Sequence, residues 1–480
     1  MIPVRHRPPA LPGPPASTDP GAPSVGRRRD LLTAGAALLL FAAAAVVGGL
    51  LGHGRVLVSW PPLTATWEPH AGPGTPAAVA VAVLVVGYGA AVARRLPWGW
   101  LTWSAWATAA AWTWSLALID GWRRGVAGRL TEPGEYLRGI GHFHDAGSAL
   151  RGFTGHILAG TPQSWETHVI GHPPLAVLTF VGLDRVGLGG GAWAGAFCIT
   201  VGSAVVPAVL VTLRALGGGD AGERTARTAA PFLVLTPGAI WVGASADGYF
   251  AAVAAWALAL LAVAATASSA GRAATAGLGS GLLFGAALYL SYGLVLLVIP
   301  ALAVLLCAAA TRDRGSPGGL PIAVAAALSG VGCAVLSFTL AGFDWWEGYR
   351  LLRVRYYQGW GGIRPYAYWV WGNAGATVAA IGLACAAGLR RAVLGAPGAV
   401  RRRRAGHVPV ETLLPCAMLL ALLAADLSGM SKAETERIWL PFTLWLPMTA
   451  ALLPARDRRG WLIAQATVAL LLNHLLLTVW

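Results

Sequence analysis

The chain has 480 residues, of which 56% are hydrophobic and only 11% charged, with a mean hydropathy of +0.62. These values exclude an ordinary soluble domain and point to an integral membrane protein, because the apolar runs repeatedly reach the roughly 20 residues a helix needs to cross hydrocarbon. The net charge of +15 rests mostly on arginines clustered between apolar runs, which reads as membrane topology and not as a nucleic-acid surface.

Residues 1–30 are proline-rich and close on Arg27, Arg28 and Arg29, as expected of a disordered cytoplasmic tail feeding a first span. The RRRDLL stretch also resembles a twin-arginine export signal, but no small-residue cleavage site follows the apolar run. Spans are predicted over 31–51, 76–93 and 98–119. With the first arginines cytoplasmic, Arg94 and Arg95 also fall inside, and the segment from Asp120 to His172 lies outside. The apolar stretch 174–188 is short and carries Asp184 and Arg185, which suits an interfacial helix better than a span. If the next crossing is 190–213, the arginine clusters at 214–227, 272, 312–314, 390–404 and 456–459 all land inside. Further spans are expected over 229–245, 248–267, 274–290, 292–310, 320–340, 368–389, 408–427, 438–452 and 461–477. The predicted fold is thus all-α and polytopic, with about thirteen crossings, the N-terminus inside and the C-terminus outside. The five cysteines each sit in an apolar run with no CxxC spacing, so neither a disulfide framework nor a zinc site is expected.

This topology gathers the polar residues of chemical interest on the outer face. The first large loop holds Glu132, Glu135, Asp145 and Glu166 with five histidines, among them His172 in the stretch VIGHPPL. In Glu132-Pro133-Gly134-Glu135 two carboxylates flank a turn, where one can serve as a general base toward a hydroxyl or simply cap a helix. His142-Phe143-His144-Asp145 offers metal ligands in type, although on a helix the two imidazoles diverge. Asp247 stands between two apolar runs, a position that is functional, helix-capping or both. A later loop sets Arg350, Arg353, Arg355 and Arg364 among aromatics, including Tyr366, and a third supplies Lys432, Glu434, Glu436 and Arg437. External arginines oppose the positive-inside trend, and two explanations stay open: forked donors for a phosphate-bearing ligand, or contacts to ordinary anionic headgroups.

The long acidic loop, the His172-Pro173-Pro174-Leu175 stretch closing it, Asp247 at a helix junction and Glu436-Arg437-Ile438-Trp439-Leu440-Pro441 together resemble membrane glycosyltransferases of the GT-C fold. The likeness is to protein O-mannosyltransferases and aminoarabinose-type transferases that use polyprenyl-phosphate sugars. The resemblance implies a transferase region over 98–480 with an outer catalytic loop over 120–189, and it leaves 31–97 as two additional N-terminal helices. It implies a base in the first loop, where Glu132 stands at the position usually held by aspartate and Glu135, Asp120 and Asp145 remain in contention. Asp247 matches the family's later aspartate, and Arg437 matches an arginine that contacts the lipid phosphate, with the tyrosine that follows it in the family replaced here by Ile438. His172 is implied as a positioning group. The expected reaction passes a sugar, with inversion, from a polyprenyl-phosphate donor to a hydroxyl of a cell-envelope glycan, lipid or protein at the outer face of the cytoplasmic membrane. No cofactor is required, and a divalent cation is compatible with the chemistry.

The rivals are a transporter or flippase for a lipid-linked or anionic substrate, and a non-catalytic scaffold. A transporter calls for ionisable residues or broken helices at mid-membrane, where the late spans offer Asp426 and Asn473. The absence of an internal repeat weighs against one built on inverted repeats.

Overall fold

A computed structural model describes residues 22–160, 163–311, 319–403 and 409–479. Residues 1–21 of the expected tail, and Arg312, Arg314 and Arg404 among the expected inner arginines, lie outside the described residues. The described residues are mostly helical. Among the described residues eight helices are long and apolar enough to cross a membrane: Gly26–Leu51, Thr75–Arg95, Gly191–Leu216, Ala246–Ala265, Ala270–Leu290, Tyr292–Thr311, Gly319–Leu340 and Val410–Leu427. The bent pair Tyr366–Ile381 and Leu383–Ala399 makes up to a ninth. This is a multi-pass helical membrane protein. The other predicted spans correspond to helices that are shorter or less apolar, Trp98–Ala117, Leu440–Leu452 and Arg458–Leu475, except 229–245, which is not one helix: Asp220–Val234 ends inside it, the chain breaks at Leu235, and only the short helix Ala239–Val242 follows.

The first helix begins at Ala22, inside the expected tail. Its polar end is anchored, because Asp30, only 1% exposed, accepts from Arg390 at 2.5 Å and from Arg391 at 2.6 Å. The stretch 174–188 forms a helix over Leu175–Arg185, whose 11 residues are too few to cross.

Helix Ala246–Ala265 is the centre of the bundle, with 78% of its apolar window buried, against 17% for Gly26–Leu51 and 22% for Thr75–Arg95. Helices Ala270–Leu290 and Gly319–Leu340 approach closely because Gly277, Gly281 and Gly285 recur every fourth residue on one face. A Cβ at Gly281 would stand 1.9 Å from the Ala327 carbonyl. The bend of 112° falls at Gly382, whose φ of +77° breaks the helical backbone, and Gln465 donates to the Ile381 carbonyl at 2.8 Å.

Two short strands, β1 (Ala65–Trp67) and β2 (Leu476–Thr478), pair antiparallel with Ala65 opposite Thr478. The pairing ties the loop of the first helix pair to the chain's last residues at one end of the bundle. His70 joins that loop to Asp120 at 2.8 Å, and Phe153 packs edge-on against Phe343, so the loops containing 53–72, 120–172 and 343–365 share this end. It is called the loop side below.

Candidate functional site

The Glu132-Pro133-Gly134-Glu135 turn sorts the two candidate bases. Glu135 N donates to the Glu132 carbonyl at 3.1 Å and Gly134 has φ +90°, so this is a turn with proline second and glycine in the left-handed third position. The reversal leaves Glu132 exposed and turns Glu135 inward, where it is 5% exposed and lies 2.9 Å from His168 Nδ1. The next residue, Tyr136, is also buried, with its hydroxyl 2.9 Å from His172 Nδ1. Burial first, and the nearby Asp247 and Glu135 charges with it, raise the Tyr136 phenol well above its ordinary range. The same burial pushes His172 down to about 4, so its imidazole is neutral at neutral pH.

From the centre of the bundle, Ser245 accepts from Asp247 N at 3.2 Å and so caps helix Ala246–Ala265. One turn on, Phe250 packs against the His172 ring at 5.6 Å. The Asp247 carboxylate accepts from Arg437 Nη1 at 2.5 Å, and Arg437 Nη2 donates to Glu434 at 3.0 Å. The other Glu434 oxygen accepts from both terminal nitrogens of Arg364 at 3.2 Å. Asp247, Arg437, Glu434 and Arg364 therefore form one alternating chain of buried charge. Burial would raise the Glu434 carboxyl, but Arg437 and Arg364 hold it below its ordinary range. Desolvation opposes the Arg437 charge, yet Asp247, Glu434 and Glu135 hold its pKa higher still.

The loop carrying Lys432 to Arg437 is held in an unusual backbone. Ala433 and Glu434 both have positive φ, +68° and +61°, which costs about 1–2 kcal/mol for each non-glycine residue. Asn373 compensates by acting as a bracket. Its amide nitrogen donates to Asp426 at 2.7 Å and to the Ser431 carbonyl at 2.6 Å, while its oxygen accepts from Ala433 N and Thr435 Oγ1. Lys432 is 8% exposed, donates to the Gly361 carbonyl at 2.7 Å and lies over the Tyr357 ring, with no carboxylate within 4.0 Å among the described residues. Glu436 is 1% exposed; one oxygen accepts from Thr64 N at 2.8 Å, and burial pushes the carboxyl up to about 7.

Of the residues singled out in the sequence, Glu135, His172, Asp247, Arg364, Lys432, Glu436 and Arg437 fall in or beside this cluster. Others do not. Asp145 caps the helix Ala146–Gly152, accepting from Gly147 N and Ser148 N, and its local hydrogen bonds hold its carboxyl below the ordinary range. Asp120 is engaged by Arg129 at 2.7 Å as well as by His70. Arg350 and Arg353 are exposed on the helix Trp345–Gln358, Arg355 is half-buried there, and Tyr366 is exposed with its hydroxyl toward the Leu427 carbonyl. His142 stacks on Trp165 and pairs with Glu166, while His144 is exposed, so the HFHD stretch does not converge on one ion. No group of three or more His, Cys, Asp or Glu side chains among the described residues is arranged to hold a metal. The bracket Asn373 carries no sequence signal, because an asparagine inside an apolar run reads as an ordinary helix residue.

No protein-family model matches the chain, and no curated protein is similar to it.

What this arrangement offers chemically is a buried carboxylate paired with an imidazole, Glu135 with His168 at 2.9 Å, beside a cationic cluster. Asp247 and Asp120 are each paired with an arginine, Arg437 and Arg129, whereas Glu135 is paired with a histidine.

Proposed function

We propose that this chain is a membrane glycosyltransferase with a GT-C-like architecture, moving a sugar from a polyprenyl-phosphate donor to an acceptor hydroxyl at the outer face of the cytoplasmic membrane. The observation that carries the reading is the convergence of Glu135, His168, Asp247, Arg437, Glu434 and Arg364, from five separated stretches, on one buried cluster at the loop side. Glu135 is the base in this reading, assisted by His168. It takes the acceptor proton as the hydroxyl oxygen bonds to the anomeric carbon. The bond from that carbon to the phosphate oxygen breaks with its electron pair, and attack from the opposite face inverts the centre. Lys432, which has no carboxylate partner among the described residues, is the cation assigned to the departing phosphate, and Arg364, whose terminal nitrogens are on Glu434 and the Lys432 and Leu57 carbonyls, holds Lys432 in place. Arg437 has its terminal nitrogens on Asp247 and Glu434, and its role here is to fix that wall of the site.

The loop side is the outer side in this proposal, which agrees with the arginines of the opposite end, Arg390 and Arg391 at Asp30. Counting the bent pair, the three shorter helices and the broken stretch 229–245 as crossings gives the thirteen-span topology. The partners are the lipid-linked sugar, a cell-envelope acceptor and the bilayer itself, and a divalent cation is not required.

The test is transfer from radiolabelled polyprenyl-phosphate sugars to cell-envelope acceptors by purified protein, wild type against Glu135→Gln. Transfer by the wild type that collapses in the variant supports the reading; no transfer from any such donor overturns it. One feature favours a second reading. The helix broken at Gly382 is the kind of interruption transporters use, and flux of a lipid-linked substrate across vesicles without transfer would favour that alternative.

A further inference from the structure

The first two long helices and the loop between them behave differently. The helices turn most of their surface outward, with 17% and 22% of their apolar windows buried, as membrane-facing helices do. Their connecting loop is packed away: Val56 and Leu63 are fully buried and Val58 is 5% exposed. A loop that served only to join two anchors would have no reason to bury apolar side chains at the water side.

What the loop buries itself against is the candidate site. Val56 and Val58 form a separate apolar cluster with Tyr368, Trp369 and Ala433, the last being the first of the two left-handed residues beside Glu434. The Leu57 carbonyl accepts from Arg364 Nη2 at 3.3 Å, and Leu57 takes φ +56° to present it. Thr64 N donates to Glu436 Oε1 at 2.8 Å. At its far end the loop holds Asp120 through His70 and Arg124 through Glu68.

We infer that the loop 53–72 is a positioning element of the candidate site, fixing Arg364 through Leu57, Glu436 through Thr64, and the Ala433–Glu434 backbone through Val56 and Val58. The physical reason is economy of constraint. Two consecutive left-handed residues and two buried side chains, Arg364 and Glu436, need neighbours that over-determine their geometry, and Asn373 supplies only one side of that cage. The loop supplies the other. The two N-terminal helices are then the mounting of this loop, and their contribution to the protein is to the shape of the cationic half of the site. The inference concerns geometry and does not depend on sugar transfer being the reaction.

The test is hydrogen–deuterium exchange on the purified full-length chain in detergent, read at the amides of 430–440. Thr64→Pro removes the N–H that Glu436 accepts; Thr64→Ala keeps it. Exchange over 430–440 is expected to quicken more than tenfold in Thr64→Pro and to stay at the wild-type rate in Thr64→Ala, with helix Ala246–Ala265 unchanged in both. Val58→Ala, a smaller perturbation than a proline because it leaves the backbone N–H groups in place, is expected to quicken the same amides severalfold. Wild-type rates over 430–440 in Thr64→Pro or in Val58→Ala overturn the inference. A wild type that transfers no sugar overturns the proposed reaction and leaves this result standing.

Discussion

Arg437 and Asp247, 190 residues apart in the chain, meet with Nη1 2.5 Å from Oδ2, and each side chain is about 5% exposed. A pair so buried is held by its partners more than by solvent. Removing Arg437 leaves the Asp247 charge buried without it, and removing Asp247 leaves Arg437 with Glu434, each at a cost of up to about 3–5 kcal/mol, whereas removing both costs less than the sum. Asp247→Asn and Arg437→Gln are each expected to lower thermal stability sharply, and the double variant to recover part of the loss. Additive losses in a double-mutant cycle would contradict the buried ion pair.

The turn at Pro133-Gly134 makes Glu135 and Glu132 opposite in environment although they are three residues apart. Glu135→Gln keeps the shape and the acceptor toward His168 but removes the basic carboxylate, and transfer is expected to fall by about 10²–10⁴-fold. Glu132→Gln, at an exposed position, is expected to leave transfer near wild type. The reverse ranking would return the base to Glu132.

Two buried groups beside the cluster push the pH dependence of stability in opposite directions. Burial raises Glu436 from 4.5 to about 7, so the native state keeps a proton that the unfolded chain releases, and stability from this group falls as pH rises through that window. Burial lowers His172 from 6.5 to about 4, so the unfolded chain takes up a proton that the native state refuses, and stability falls as pH drops from 6.5 toward 4. Each contribution is on the order of 3 kcal/mol, and between pH 4.5 and 6.5 they nearly cancel. Melting temperatures of Glu436→Gln are therefore expected to fall on acidification across this range, and those of His172→Asn to rise. Parallel curves for the two variants would show that the assignments are wrong.

Asn373 makes four hydrogen bonds to the loop and to Asp426, and none of them can be replaced by an apolar side chain of similar size. Asn373→Leu is expected to cost about 2–4 kcal/mol, since buried donors and acceptors lose their partners. It should also lower transfer, because the left-handed backbone at Ala433 and Glu434 then lacks its bracket. Unchanged melting and transfer would show that the loop is held elsewhere.

Much of the fold was legible in the sequence, since a span is a local property: about 20 consecutive apolar residues satisfy their own backbone in a helix whatever surrounds them. The eight long helices all fall on predicted runs, and the short stretch ending at Asp184 and Arg185 forms the non-crossing helix its length implied. The acidic and basic residues of interest could likewise be shortlisted by type and position. Which of them act together could not be read from the chain, because that depends on contacts across long separations. Glu135 and Glu132 look equivalent until the turn sends one inward. Asp120 and Asp145 look like bases until Arg129 and a helix N-terminus engage them. Arg364 resembles Arg350 and Arg353 in sequence, but only Arg364 is drawn in by Glu434. The sequence by itself determined a polytopic helical protein with most of its acidic and basic residues of interest between the apolar runs. Only the tertiary structure decided that Glu135, Asp247, Glu434 and Arg437 share one buried cluster and that the N-terminal loop closes it, because burial and ion pairing are properties of neighbours in space.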